Sequence, residues 1–149
     1  MKITPLNKDN IDCVFSSLSK TSKDDADRLG ITINQMKDEF IRAIGKPFTA
    51  AFYNDKGECC LLFRLHAIGL HKNSAYFVDR EGLLNTILMP FTRFMKDISD
   101  RLVYDGESVE LPTFAVDTQT VRWFGIMGFT KCVPPVRSDG IFRFIKGGE

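Results

Sequence analysis

Apolar residues recur along this chain in short blocks whose spacing alternates between the helical and extended periods. Lys2–Leu6 reads as a short strand. Ile11, Val14, Phe15 and Leu18 then fall at i, i+3, i+4 and i+7, the stripe of an amphipathic helix. Ser19–Arg28 is polar and charged and reads as loop or frayed helix. Thr32 and Gln35 form a capping-box pair, with Ile31 and Met36 placed as a hydrophobic staple. Met36, Phe40, Ile41 and Ile44 give the apolar face of the helix that follows, and Gly45 can end it. Phe48–Tyr53 and Cys59–Leu65 are extended runs around Asn54-Asp55-Lys56-Gly57, a hairpin turn in which Gly supplies a positive φ.

Ala75–Val78 is a fourth short strand. Leu84, Ile87, Leu88, Phe91, Phe94, Met95, Ile98 and Leu102 trace the longest helical stripe. Pro90 interrupts it, so the helix either kinks there or starts afresh with Pro90 in its first turn. Val109–Val116 is extended. Val121, Phe124 and Met127 share one helical face, and Gly128 closes that helix in a left-handed cap. Thr130–Val133 and Ile141–Ile145 form a closing pair, with Pro134-Pro135 and Ser138-Asp139-Gly140 as loop chemistry. The order is β-α-α-β-β-β-α-β-α-β-β, an α/β class with a mixed sheet and helices on both faces. No linker, repeat or low-complexity segment divides residues 1–149, so a single domain is expected. The expected core includes Phe91, Phe94, Ile98, Val121 and Phe124.

Charge changes this picture little. Twenty basic and 19 acidic residues give a net charge of +1, so no general affinity for nucleic acid or an anionic membrane is implied. No apolar run approaches the ~20 residues of a transmembrane helix, and Met1–Pro5 offers no secretory h-region. Four cysteines, Cys13, Cys59, Cys60 and Cys132, form no C-x-x-C pair. With His66 and His71 they make no zinc spacing, so no metal site is expected and the thiols read as buried and reduced. Adjacent in a strand, Cys59 and Cys60 point to opposite faces. Thirteen phenylalanines belong mostly to the core.

The segment Asp117-Thr118-Gln119-Thr120-Val121-Arg122-Trp123-Phe124-Gly125-Ile126-Met127-Gly128-Phe129, a strand followed by a short helix closing on Gly-Phe, resembles the last helix of the GCN5-related N-acetyltransferase (GNAT) fold. The element order agrees with that fold. Within it, the chain resembles a group of small tailed-bacteriophage proteins that includes the internal virion protein A of T7-like phages. The segments that carry this are Asp27-Arg28-Leu29-Gly30-Ile31, Tyr76-Phe77-Val78-Asp79, Thr118-x-x-x-Arg122-Trp123, Gly128-Phe129, and Asp139-Gly140 through Lys146-Gly147-Gly148.

The GNAT resemblance implies a pyrophosphate cradle between the fourth strand and the next helix. There backbone N–H groups bind coenzyme A, and glycines permit close approach. Here that stretch is Asp79-Arg80-Glu81-Gly82-Leu83-Leu84. It has one Gly, Leu84 replaces the second small residue, and two acids flank the single cation Arg80. The stretch reads as a degenerate coenzyme A loop with Arg80, Gly82 and Leu83 as candidates, or as a capped helix start whose acids complement its dipole. The resemblance also implies a Tyr on the last helix to protonate the departing thiolate. Phe124 stands there without a hydroxyl, and Asp117 stands where the family has Asn. Glu58, Glu110 and His66 are the available bases, His66 reading as a hydrogen-bonded structural residue amid apolar neighbours. No catalytic residue is therefore assigned, and no cofactor is expected.

The resulting expectation is a phage virion or assembly protein on a GNAT-like fold without acetyltransferase chemistry. Its partners would be other phage structural proteins or itself, and its place the host cytoplasm or the virion. Arg122, Trp123 and the Arg137–Gly148 tail are the interface candidates. The alternative is an active N-acetyltransferase using acetyl-coenzyme A on a host or phage target. A small-molecule binding module using the same cleft is a third reading.

Overall fold

The structure, a computed structural model, describes residues 1–113, 118–132 and 142–148. Its elements are β1 (Lys2–Thr4), α1 (Lys8–Phe15), α2 (Lys20–Leu29), α3 (Ile33–Arg42), β2 (Thr49–Tyr53), β3 (Cys59–Gly69) and β4 (Lys72–Asp79). A single 3-10 turn (Leu84–Thr86) follows. Then come α4 (Leu88–Tyr104), β5 (Ser108–Thr113), α5 (Thr118–Ile126), β6 (Thr130–Lys131) and β7 (Phe142–Lys146). The strands form a seven-stranded mixed sheet in the order β1-β2-β3-β4-β5-β7-β6. The β4–β5 pair is parallel, while β1–β2, β2–β3, β5–β7 and β6–β7 are antiparallel.

By its contacts the chain divides into two compact units. One holds Met1–Arg64 and Phe77–Leu88, the other Leu65–Tyr76 and Met89–Glu149. In the first, Ile11, Val14, Met36, Phe40, Phe52, Leu61, Leu62 and Phe63 are almost fully buried. Phe52 meets Phe63 edge-on at 6.5 Å. The β2–β3 turn forms as its residues dictate. Asn54 N–H donates to Glu58 O, and Gly57, at φ +78°, donates back to Asn54 O. The Thr32–Gln35 capping box forms with both reciprocal bonds, at 3.0 and 2.8 Å.

Ser19–Arg28 is a full helix, α2. Its apolar positions are too sparse to show a period, but Ser19 caps its start and Gly30, left-handed at φ +71°, ends it. The element order therefore gains a third helix before β2. On α3 the expected face is halved. Met36 and Phe40 are buried, whereas Ile41 and Ile44 are 37% and 39% exposed. Phe48 lies outside β2.

In the second unit, β3 and β4 run further than their apolar blocks, reaching Gly69 and starting at Lys72. Strand pairing outlasts burial there, since His66 to Gly69 are exposed. His66, read as a structural residue amid apolar neighbours, thus stands at an exposed position of the strand. The helix interrupted by Pro90 starts afresh, because the 3-10 turn ends at Thr86 and Pro90 sits in the first turn of α4.

The buried stripe of α4 is Phe91, Met95 and Ser99, rotated from the expected one, so Phe94 and Ile98 are only half-buried. Ser99 is tolerated inside because its hydroxyl donates to Lys96 O and accepts from Lys146 Nζ. On α5 Phe124 is buried, as is Met127 just past its end, but Val121 is 38% exposed. Asp117, residues 114–116 of the expected strand, Val133, the Pro134-Pro135 and Ser138-Asp139-Gly140 loops, Arg137 and Ile141 lie outside the described residues.

Candidate functional site

The loop after β4 is the place to test the phosphate-binding expectation, because its amides decide what it can hold. Arg80 N–H donates to Cys60 O at 2.8 Å, Glu81 N–H to Ser17 O at 2.8 Å, and Leu83 N–H to Arg80 O at 3.1 Å. Three N–H groups at the centre of the presumptive cradle are thus spent on the protein's own carbonyls. Arg80 also bridges to Leu18, and its Nη1 contacts Cys13 Sγ at 3.6 Å. Gly82 is at φ +76°, which explains the glycine through backbone conformation. Leu83 is half-buried. The long helix does not follow at once, since the 3-10 turn intervenes before α4.

The two acids of the loop find a helix N-terminus, but that of α2. Asp79 Oδ1 accepts from Ser19 Oγ at 2.7 Å and Ser22 Oγ at 3.1 Å, and Glu81 Oε2 accepts from Lys20 N–H at 3.0 Å. Their charge complements the α2 dipole. A cavity of about 240 Å³ lies here, lined by Ser19, Thr21, Asp79, Glu81, Gly82 and Asn85 among others. This Ser–Asp cluster was not legible in the sequence, where Ser19–Arg28 reads as loop or frayed helix and Asp79 lies 60 positions from Ser19.

Burial pushes the Asp79 carboxyl above its usual range, against the opposing effect of its Ser19 and Ser22 bonds. Nearby on α2, Asp25 is pushed up to about 6, first by burial and then by the charges of Asp24 and Asp79, with Arg28 acting against them. A folded-state carboxyl that binds its proton more tightly than the unfolded one stabilises the fold below pH ~4, and that stabilisation is lost as pH rises through ~6. Stability should therefore rise as pH falls from 7 to 5. Asp25→Asn should flatten that slope and, after allowance for solvent screening, stabilise by roughly 1 kcal/mol at pH 7. Urea titrations at pH 5, 6 and 7 check this. A wild-type slope of opposite sign would refute it.

The other sequence-selected residues are dispersed. Phe124 is 4% exposed, edge-on to Phe144 at 4.8 Å and tilted against Trp123 at 5.6 Å. Trp123 is half-buried, donates from Nε1 to Thr92 Oγ1 at 2.7 Å and packs on Phe91, so it is fixed within its own unit. Arg122 is exposed. Glu58 accepts from Asn54 Nδ2 in the hairpin, and Glu110 faces Arg143 at 3.7 Å between β5 and β7. Among the described residues no cluster of His, Cys, Asp and Glu is arranged to hold a metal ion, and no helix is long and apolar enough to cross a membrane.

Among the described residues, β4 and β5 pair in parallel over Lys72–Ser74 and Ser108–Glu110. β5 keeps β7 as its partner through Thr113.

No protein-family model matches the sequence, and no curated protein does. Solved structures do match. The GNAT domain of PAT from S. lividans superposes with a TM-score of 0.68 at 13% identity, covering 97% of this chain and 88% of that one. Ard1 from Thermoplasma volcanium gives 0.66 at 13%, covering 99% and 98%. An aminoglycoside 6'-acetyltransferase type Ii gives 0.64 at 15%, covering 99% and 97%. At such identities the likeness shows the fold. The chain has the GNAT fold of acyl-coenzyme A N-acyltransferases, with a seven-stranded mixed sheet and five helices among the described residues.

Proposed function

We propose that this chain is a non-catalytic protein of a tailed-phage particle or of its assembly, using the GNAT fold as a scaffold. The observation that carries the non-catalytic part is the loop after β4. Its Arg80, Glu81 and Leu83 amides are bonded to the protein's own carbonyls, and its Asp79 and Glu81 carboxylates are held at the N-terminus of α2. A pyrophosphate would have to displace these bonds and accept the repulsion of two acids. The buried Phe124 supports the same reading, since it leaves the thiolate without a hydroxyl at that position. The phage part rests on the order of the sequence segments from Asp27-Arg28-Leu29-Gly30-Ile31 to Lys146-Gly147-Gly148.

The alternative, an N-acetyltransferase using acetyl-coenzyme A, is favoured by the acetyltransferases among the similar structures. Isothermal calorimetry with acetyl-coenzyme A separates the two. The expected result is no saturable heat up to ~1 mM ligand, weaker than about −4 kcal/mol of binding free energy. Micromolar affinity would reverse the ranking. For the phage role, mass spectrometry of purified particles of the encoding phage should find the chain, and its consistent absence would count against that role.

A further inference from the structure

The outer side of α3 carries apolar residues that its own unit leaves uncovered. Ile33 and Ile41 fall at i and i+8 on one flank of α3, and Ile44 follows in the turn just past its end. They are 38%, 37% and 39% exposed. Phe48 follows, 49% exposed and held at φ +59°. A left-handed backbone at a bulky aromatic is strained, and such outliers persist where a surface has a use for them. Here the strain presents a phenyl ring to solvent past the C-terminal end of the helix.

The charges bordering this flank say what covers it. Lys37 is neutralised by Asp12 at 2.6 Å, and Glu39 by Arg64 at 2.9 Å. Asp38, Arg42 and Lys46 are exposed and carry no ion pair among the described residues. The spare acid therefore lies toward the N-terminal half of the flank and the spare bases toward its C-terminal end. Two copies laid antiparallel about an axis near Phe40–Ile41 set Asp38 of each against Arg42 of the other. Ile41 then meets its own mate, and Ile33 approaches the Phe48 end of the facing helix. A parallel pairing would set like against like.

We propose that this flank is an isologous interface, on which a second copy of the chain docks α3 against α3. The helix of 10 residues spans only ~15 Å. Its patch is smaller than the ~800 Å² per partner of a tight complex, so the dimer is weak and concentration-dependent. The proposal is independent of coenzyme A binding, because none of its residues belongs to the loop after β4.

Sedimentation equilibrium from ~10 μM to ~1 mM tests it, with circular dichroism to confirm that each variant is folded. The wild type should pass from monomer to dimer over that range. Ile41→Asp and the milder Phe48→Ser should each weaken association at least ~10-fold. Asp38→Lys and Arg42→Glu should each weaken it, and the two together should restore it, since the exchange keeps the antiparallel pair complementary. A chain that stays monomeric at ~1 mM overturns the proposal, and leaves the flank to another partner or to none. So does a dimer indifferent to Ile41→Asp, and so does a double exchange without recovery.

Discussion

Replacing Phe124 with alanine should lower the unfolding free energy by ~3–5 kcal/mol, among the largest losses any single substitution in the second unit can cause. The ring is 4% exposed and packs edge-on to Phe144 and against Trp123, so its removal leaves a cavity with aromatic walls on two sides. Phe94→Ala, on the half-buried flank of α4, should cost roughly half as much or less. A loss below ~1 kcal/mol for Phe124 in chemical denaturation would mean that the face was misassigned. The same site has a functional control. Phe124→Tyr places a hydroxyl where the GNAT resemblance wants its acid, but on a ring that is buried. It should destabilise by ~1–3 kcal/mol and confer no acetyl transfer. Turnover of acetyl-coenzyme A by that variant would show that the missing hydroxyl was the only defect.

Asn54→Ala should cost ~2–3 kcal/mol, the largest effect expected of a polar residue in the first unit. Asn54 is 6% exposed. Its Oδ1 accepts from the Lys56 and Glu58 amides at 3.1 and 3.0 Å, and its Nδ2 donates to Glu58 Oε1 at 3.0 Å and Thr86 Oγ1 at 3.2 Å. Alanine leaves these groups without that partner and frees the 3-10 turn from the hairpin. Asn54→Asp keeps the acceptor for both amides but sets a carboxylate beside Glu58, so it should recover part of the loss, more at pH 4 than at pH 7. Hydrogen exchange at Lys56 and Glu58 reports the turn directly. Unchanged protection in Asn54→Ala would contradict this account.

Local chemistry was legible wherever a few neighbouring residues settle the outcome. The Thr32–Gln35 capping box, the Asn54–Gly57 hairpin and the buried Phe124 depend on caps, turn dihedrals or a single helical face, whereas the choice between a kink and a fresh start at Pro90 was left open. The GNAT element order was legible too, because alternating periods report alternating elements. Helix α2 was missed because its stabilisation comes from its caps and from Asp79 and Glu81, and apolar spacing cannot register that. Which half of an apolar stripe is buried was also out of reach. Ile41 and Val121 sit one position round from Phe40 and Phe124, and only packing against particular neighbours fixes the rotation of a helix. The sequence alone determined that the loop after β4 has one glycine, one cation and two acids. Only the tertiary structure decided that its amides turn inward to Cys60, Ser17 and Arg80 and that its acids cap α2. Those bonds join residues about 20 to 64 positions apart, apart from the local one between Leu83 and Arg80, and the pairing of distant segments is set by the closure of the whole chain.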